Sequence, residues 1–515
     1  MLLDLEQAPA DVATESDVCI IGAGIAGLLL ASRLVERGLR VHLLEAGGAE
    51  LEDRSQQLYD AEMAATRHAG TTEGRFRTFG GSSTRWGGQL LPYTSDIYTP
   101  PPGVPSLGWP IDERNLAPYY AELQQILGVD ALPFEDSLLP ALGKAPLQRH
   151  TDFTVRFSKW IPFPRRNLGK TLGERLSAHP KITIYTHANV VALEGEAGSI
   201  TAARARTYNG RDVLFRARTF LLTSGTLESP RLLLASPGVP NHHDQIGRYF
   251  HDHVSFAAAE FTGQQRAALL ERFGPWLVEG TLHTVKIEAS PELRSREHLL
   301  AVMGHLTVEE PEDSGAAAVR NTLRLLQRGK LGEAIGAKNV GALARGVPDV
   351  LRLATSARLQ KRRYISPRAR VRLNIDLEQA PSAENRIRLS HETDAIGMPR
   401  AIVDWRVQQA ERDTAVRFAP HLAQWLEDLH MQPSQWSEAL RLGQPELIDT
   451  FHPMGGTRMG EDPASSVVGP ELRVHGLTNL YVASCSVFPA GGSSNPTFTM
   501  MALALRLADL LTARL

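Results

Sequence analysis

The 515-residue sequence predicts an α/β fold, α+β overall, in two lobes. Three observations lead to this prediction. A strand–helix–strand pattern stands near the N-terminus, a strand, a Gly/Ser loop and a helix close the chain, and residues 370–405 alternate between polar and apolar. The first two indicate a lobe with a parallel sheet built from discontinuous segments, and the third indicates a second lobe with an antiparallel sheet and helices.

The N-terminal unit starts with residues 17–21, a β-branched apolar run typical of a buried parallel strand. A helix is predicted at residues 28–37 and a second strand at 41–44, which ends at Glu45. The turn between the first strand and the helix fits the pattern G-x-G-x-x-G, with the residues Gly22, Ala23, Gly24, Ile25, Ala26 and Gly27.

This turn has the chemistry of a dinucleotide site. Gly22 permits a tight turn, Gly24 lets the backbone approach a pyrophosphate, and Gly27 lets the helix pack closely on the strand. The helix N-terminus offers free N–H groups to the phosphates. Glu45 can accept hydrogen bonds from ribose hydroxyls, which favours an adenosine ribose without a 2′-phosphate. The pattern alone does not separate NAD from FAD.

The rest of the chain reads as alternating strands and helices around two irregular parts. The prolines of residues 92–110 predict an extended surface connection, because proline is excluded from regular helix and central strand. The other predictions are a helix at 115–127, strands at 182–185, 190–193 and 219–223, a helix at 227–234 with Pro230 in its first turn, helices within 315–372, antiparallel strands within 370–405, a helix at 413–429 kinked or broken at Pro420, a strand at 480–483 and a helix at 497–511.

Three further loops are candidates for a functional site. Residues 79–88 contain four glycines, which suits either a loop lying flat against a planar ligand or a structural loop. Residues 451–460 carry His452, and residues 490–497 carry Asn495 before a predicted helix. A histidine is a suitable general base for alcohol oxidation, and an amide can hold the substrate oxygen. A structural histidine and a plain helix cap are the alternatives.

Taken in this order, the motifs resemble those of the glucose–methanol–choline (GMC) oxidoreductases, a family of flavoproteins. The resemblance covers residues 17–130, 185–255 and 445–515. The matching segments are 22–27 with 44–48, 80–83, 108–110 with 119–120, 224–233, 247–253, and the two C-terminal loops.

The resemblance implies a Rossmann-like FAD-binding lobe and FAD rather than NAD. It implies oxidation of a CH–OH group of a sugar, cyclitol or hydroxylated metabolite to a carbonyl. His452 would take the hydroxyl proton while hydride passes to flavin N5, and Asn495 would be the second catalytic residue. The electron acceptor stays open between oxygen, a quinone and a redox protein. A lyase on the same scaffold, or a flavin-binding protein without turnover, are the alternatives.

The resemblance also implies which positions contact FAD. Arg85 stands where some sugar-oxidising members have a histidine linked to FAD, so non-covalent FAD is expected. Ser484 stands where many members have Asp, and its hydroxyl can still contact a pyrophosphate. The implied positions are Gly22, Gly24, Ile25, Ala26, Gly27, Glu45, Ala46, Gly80, Gly81, Ser82, Ser83, Trp86, Gly87, Gly88, Val190, Ser224, Gly225, Ser484, Asn495, Pro496 and Thr497.

The sequence also predicts where the two lobes begin and end and whether a metal is bound. The FAD-binding lobe is expected at 1–255 and 445–515, with 92–180 partly a lid or part of the other lobe. The substrate-binding lobe is expected at 256–444. His251 and His253 share one strand face, but no third or fourth ligand is evident, so no metal is expected.

Composition excludes some classes of protein and leaves one segment unexplained. A net charge of −2 argues against a general nucleic-acid binder. Residues 1–16 do not read as a signal peptide and no apolar run could span a membrane, so a cytoplasmic protein is expected. Residues 315–372 contain 14 Lys/Arg and two acidic residues, a net charge of +12. A peripheral membrane surface, an acidic protein partner, steering of an anionic substrate and a merely solvated helical face are the interpretations.

Overall fold

The computed structural model describes residues 1–9, 14–148, 150–327 and 330–514, without the side chains of residues 327, 337, 338, 345 and 350. Within this part of the chain the strands form three sheets, and the buried apolar side chains form two separate cores. The fold class predicted from the sequence is confirmed. The predicted lobe boundaries remain a prediction.

The first sheet has a parallel part of six strands, extended at one side by two antiparallel strands. It confirms the N-terminal strand–helix–strand unit and joins the strands predicted near residues 182, 190, 219 and 480 to it. In spatial order the strands are Leu2–Asp4, Ile182–Thr186, Val41–Leu44, Glu15–Ile21, Asp212–Leu222, Ser199–Arg206 and Asn189–Glu196, with Leu480–Val482 beside the C-terminal part of Asp212–Leu222.

The second sheet has nine strands, and every pair is antiparallel. One face is apolar and packs on the helix Gln409–Asp428. The register places Arg156, Lys286 and His305 side by side on the opposite, polar face. In spatial order the strands are Gln435–Trp436, Val254–Phe261, Arg370–Leu377, Val302–Glu309, Thr281–Ala289, Phe153–Trp160 and Gln89–Leu90, with Trp276–Val278 beside Thr281–Ala289 and Ile448–Asp449 beside Val254–Phe261.

The third sheet is small and corrects the sequence prediction for residues 370–405. Arg386–Thr393 pairs with Pro399–Asp404, which lies parallel to Ala61–Met63. The alternating segment therefore divides between two sheets, because only Arg370–Leu377 belongs to the second one. Alternation predicts strands but carries no information about which strands pair.

The structure also tests the prediction at two prolines. The helix Gln409–Asp428 is not broken at Pro420, which excludes one of the two predicted outcomes, because the buried side chains Phe418 and Leu422 on either side hold it against the second core. Pro230 lies inside the helix Gly225–Ala235 rather than in its first turn.

The helices complete the two layers around the sheets. No helix among the described residues is long and apolar enough to cross a membrane. A helical turn, Ser95–Tyr98, interrupts the proline-rich connection that was predicted to be extended throughout. The helices are Ile25–Glu36, Asp53–Gln56, Ser95–Tyr98, Ala117–Leu127, Leu138–Ala141, Glu174–Ser177, Gly225–Ala235, Gly263–Phe273, Pro291–Glu297, Gly315–Gln327, Leu331–Ala334, Ala337–Arg345, Val347–Gln360, Gln409–Asp428, Glu438–Arg441 and Thr497–Thr512.

Candidate active site

A cavity of about 600 Å³ lies at the carboxyl ends of the parallel strands of the first sheet. Gly22, Glu45, Ser224 and Ser484 each follow one of these strands and line it. Gln89 and Trp160, paired at the edge of the second sheet, close it from the other lobe. Ligands of open α/β sheets bind at this edge, because the loops that leave the parallel strands converge there.

The glycine turn has the shape that a phosphate needs. Gly22 has a φ of 108°, and a Cβ there would lie 2.8 Å from the carbonyl oxygen of Thr223. At Gly24 a Cβ would meet nothing within 4 Å, so the backbone is open to the cavity. The helix Ile25–Glu36 starts here without a side-chain cap, which leaves its first N–H groups for a ligand.

Glu45 is buried and holds the same turn. Its Oε2 accepts the N–H of Ala23 at 2.9 Å and its Oε1 accepts the N–H of Gly47 at 2.9 Å. Burial raises the pKa of Glu45 to about 7, against the opposing effect of these hydrogen bonds. Each oxygen keeps a lone pair, so the carboxylate can still accept a hydroxyl from a ligand.

The second glycine loop packs directly on the first. The N–H of Gly80 donates to the carbonyl of Ala23 at 3.0 Å. A Cβ on Gly81 would lie 2.9 Å from the Cα of Gly24. Ser83 donates to the carbonyl of Gly80 at 2.6 Å and is fully buried. The two loops therefore form one wall of the cavity.

Most predicted cofactor positions line this cavity, but three do not. Gly27, Gly80 and Ser83 stand behind the wall and support it. The lining positions are Gly22, Gly24, Ile25, Ala26, Glu45, Ala46, Gly81, Ser82, Trp86, Gly87, Gly88, Val190, Ser224, Gly225, Ser484, Asn495, Pro496 and Thr497.

His452 and Asn495 meet at one end of the cavity. The Nε2 of His452 lies 2.9 Å from the Nδ2 of Asn495, although the two residues come from separate loops. The Nδ1 of His452 lies 2.9 Å from the Oγ1 of Thr450 and 3.2 Å from the Nδ1 of His253. The ring is therefore held on both sides.

These contacts determine which nitrogen of His452 carries the proton. The Nε2 of His253 lies 3.1 Å from the carbonyl of Gly491, which can only accept, so this nitrogen carries a hydrogen. The Nδ1 of neutral His253 is then an acceptor, and the Nδ1 of His452 donates to it. The Nε2 of His452 consequently carries the lone pair of the ring, which accepts an N–H of Asn495 at the cavity wall.

The surroundings keep His452 neutral. Desolvation, with a smaller effect of His253, lowers its pKa to about 4. The buried carboxylate of Asp252 opposes this shift and accepts the backbone N–H of His452 at 2.9 Å. The Oδ2 of Asp252 also lies 3.0 Å from the Nε2 of His68. Asp252 therefore connects the loop of His452 to a second buried side chain.

The sequence missed several residues that line or support the cavity. Thr450 and His253 both contact the Nδ1 of His452, and His68 and Asp449 lie beside Asp252. His253 lies in residues 247–253, a segment that matches the family, so the sequence did contain a signal for it. His68 and Asp449 hydrogen-bond within the protein, His68 to Asp252 and Asp449 to the N–H groups of Ala69 and Gly70.

An arginine cluster among the residues that line the cavity was also missed. Arg75 and Arg77 stack on the ring of Tyr59 at 3.9 and 4.5 Å. Both donate to Glu228, at 2.9 and 3.0 Å, and Arg231 adds a third bond at 3.0 Å. Burial raises the pKa of Glu228, but the three arginines outweigh it and lower that pKa to about 2. No local pattern marks these residues.

Comparisons with known proteins agree with this geometry. A family model described as FAD binding domain matches residues 15–220, and one described as GMC oxidoreductase matches residues 381–504. The 6'''-hydroxyparomomycin C oxidase of Streptomyces lividus is 24% identical over 97% of this chain and 92% of its own length. The pyridoxine 4-oxidase of Microbacterium luteolum is 25% identical over 92% of this chain and 95% of its own.

A further relative and a solved structure extend the comparison. The fructose dehydrogenase large subunit of Gluconobacter japonicus is 24% identical over 96% of this chain and 97% of its own. The crystal structure of pyridoxine 4-oxidase from Mesorbium loti superposes with a TM-score of 0.58 at 18% identity, covering 96% of this chain and 98% of that one.

The cofactor and the reaction follow from the cavity and the comparisons together. FAD is the cofactor, and the reaction is the oxidation of an alcohol CH–OH group. A lyase finds no support among these relatives. The chain belongs to the GMC oxidoreductase family.

Proposed function

We propose that the enzyme oxidises a CH–OH group of a sugar, a cyclitol or another hydroxylated metabolite to a carbonyl, with His452 as the base and Asn495 beside it. The observation that carries this proposal is the 2.9 Å contact between the Nε2 of His452 and the Nδ2 of Asn495 at the cavity wall. The names of the relatives, which include a fructose dehydrogenase and a pyridoxine oxidase, support a small hydroxylated substrate.

The residues of the cavity suit FAD. The glycine turn and Ser224 would hold the pyrophosphate, and Glu45 and Val190 the adenosine. The loop of residues 81–88 and the start of the helix Thr497–Thr512 would border the flavin ring. The Oδ1 of Asn495 is buried without a partner among the described residues, as expected of an atom that serves a bound group. We propose that FAD is bound without a covalent link, since Arg85 stands in place of a linking histidine.

The chemistry divides between the cofactor and the protein. When bound, FAD accepts the hydride from the carbinol carbon. The substrate hydroxyl would insert between the two side chains and give its proton to the Nε2 of His452, which carries the lone pair of the ring. The Nδ2 of Asn495 donates a hydrogen bond to the same oxygen and fixes its position. Thr450 and His253 keep the ring of His452 in the required tautomer and orientation.

Anaerobic reduction of the purified protein tests this function. The flavin absorbance should bleach when the matching alcohol is added, and fructose, pyridoxine and cyclitols form the first panel. His452→Ala should lower the rate constant of reduction by about 10²-fold or more. His242→Ala, at an exposed histidine, is the matched control and should leave the rate unchanged. A protein that takes up no FAD contradicts the whole proposal, whereas unchanged reduction in His452→Ala removes only the assigned base.

We also propose a cytoplasmic location. Its support is chemical, since Cys19 and Cys485 are both free thiols and burial raises the pKa of each.

The acceptor that reoxidises the flavin is tested by mixing the reduced enzyme with oxygen, with a soluble quinone or with a redox protein. A much faster reaction with one of them identifies its class.

A further inference from the structure

The segment of residues 315–372, which we call the basic module, has an unusual distribution of apolar side chains. Its helices Gly315–Gln327, Leu331–Ala334, Ala337–Arg345 and Val347–Gln360 pack on one another. Among their described side chains, the fully buried apolar ones are alanines, whereas eight large aliphatic side chains are exposed and four more, Val319, Leu325, Leu343 and Leu353, are only half-buried. The exposed ones are Leu323, Leu326, Leu331, Ile335, Val340, Val347, Leu351 and Leu359, with exposed fractions from 37% to 82%.

Polar contacts and small residues hold the module together. The Nδ2 of Asn339 donates to the carbonyl of Ala334 at 2.7 Å and to the Oγ1 of Thr322 at 2.8 Å. Gly346 and Gly315 touch so closely that a Cβ on Gly346 would lie 2.2 Å from the Cα of Gly315. The outward leucines contribute little to this packing, so their exposure needs a different explanation.

The rest of the described chain does not repeat this pattern. Among the side chains that the structure describes, thirteen large hydrophobic ones are exposed, and eight of these belong to the module. Single exposed leucines are normal on soluble proteins, but a concentration of them marks a surface that meets another apolar phase.

The charge of the module restricts what that phase can be. Its net charge is +12, and Lys330, Arg352, Arg368 and Arg372 are among its described residues that pair with acidic ones. Exposed pairs of this kind are weak, and the exposed Arg358 and Lys361 have no ion pair among the described residues. A second copy of the chain that presented the same surface would be repelled by like charge.

The residue types distinguish a bilayer from a protein partner. The module contains no Phe or Trp and a single Tyr, the half-buried Tyr364, whose hydroxyl donates to Asp349 at 3.0 Å. Protein interfaces draw most of their binding energy from Trp, Tyr and Arg, and Leu and Val are under-represented there. Aliphatic side chains interspersed with Arg and Lys suit a lipid interface, where the tails take up apolar groups of any arrangement and anionic headgroups attract the cations.

We propose that the basic module docks the enzyme on the surface of an anionic phospholipid bilayer. The leucines, isoleucine and valines of its helices would enter the headgroup region, and its arginines and lysines would contact the lipid phosphates. The enzyme would lie on the membrane and not span it.

Vesicle sedimentation with the full-length holoenzyme tests the proposal. The protein should bind vesicles of phosphatidylcholine with 30% phosphatidylglycerol, bind phosphatidylcholine alone at least about tenfold more weakly, and be released by 0.5 M salt. The variant L331Q/I335Q/L351Q/L359Q should lose at least about tenfold in partitioning to the anionic vesicles. Arg358→Gln with Lys361→Gln should weaken binding by a smaller factor.

The controls separate docking from folding and from catalysis. L442Q/I448Q changes two aliphatic residues that are similarly exposed, at 69% and 59%, but lie outside the module, and it should bind like the wild type. Circular dichroism and flavin reduction in solution should be unchanged in both aliphatic variants. No binding to vesicles, equal binding to both kinds, or full binding by the quadruple variant overturns the proposal. Binding to immobilised poly-glutamate without binding to vesicles assigns the surface to an acidic protein instead.

Discussion

The glycine-lined cavity and the basic module are built in opposite ways. In the cavity, backbone meets backbone at distances that admit no Cβ, and the residues around His452 are hydrogen-bonded in a defined tautomer. In the module, the fully buried apolar side chains are alanines, and eight large aliphatic side chains are exposed. A rigid cofactor needs a preorganised site, whereas a fluid surface needs only exposed groups of suitable chemistry. The same substitution should therefore have different effects in the two regions.

The largest effect is expected from a methyl group added at Gly27. Its Cβ would lie 2.0 Å from the carbonyl oxygen of Gly22 and 2.9 Å from the Oγ1 of Thr223, so the helix must move off the strand. We expect Gly27→Ala to lose bound FAD and at least about 3 kcal/mol of the free energy of unfolding. Flavin absorbance of the purified protein and chemical denaturation measure the two quantities.

Gly332→Ala in the module is the matched control. A Cβ there meets nothing within 4 Å, so the change should alter the free energy of unfolding by no more than about 1 kcal/mol and leave the FAD content intact. Similar losses in both variants would contradict the contrast between a close-packed cavity wall and a loosely packed module.

The features that the sequence predicted well are those that depend on residues close together in the chain. The glycine turn, Glu45 and the helices that start at the cavity depend on neighbours within a few residues, and motif and periodicity record them directly. His452 and Asn495 could be proposed as catalytic residues because each stands in its own recognisable loop, and their roles remain a prediction. The basic segment was found by counting charges, but burial was needed to show that its leucines face outward.

What the sequence missed depends on contacts between distant segments. His253 and His452 are 199 positions apart, and nothing local indicates that their Nδ1 atoms lie 3.2 Å from one another. The bonds of Arg75 and Arg77 to Glu228 are equally remote. The prediction that residues 370–405 form one antiparallel sheet failed for the same reason. Alternation shows which face of a strand each side chain occupies, but it does not show which strand is the partner.

The cavity and the basic module should also differ in how their activities depend on pH. Because desolvation lowers the pKa of His452 from 6.5 to about 4, the base stays neutral down to about pH 5. The rate constant of flavin reduction should therefore be level from pH 8 to 5 and fall only below that, by about tenfold per unit beneath the pKa. Binding to anionic vesicles should stay constant over this range, since Arg and Lys remain charged.

The same shift affects stability. The unfolded chain protonates its histidine near 6.5 and the folded chain near 4, so the unfolded state binds more protons between these values. The free energy of unfolding should fall as pH drops from about 6.5 towards 4. A fall in the rate constant of flavin reduction centred near pH 6.5 would contradict a desolvated His452. It would indicate a base that is open to solvent.

The smallest effect should come from the hydroxyl of Thr450. Its Oγ1 lies 2.9 Å from the Nδ1 of His452, while His253 offers a second acceptor to the same nitrogen. Thr450→Val keeps the shape and removes one of two acceptors, so reduction should slow by about three- to tenfold. Because Thr450 orients the base, the substrate concentration at half-saturation should stay the same, and Thr450→Ser should restore the rate. An undiminished rate in Thr450→Val would show that His253 alone fixes the ring, whereas a changed half-saturation would make Thr450 a substrate contact.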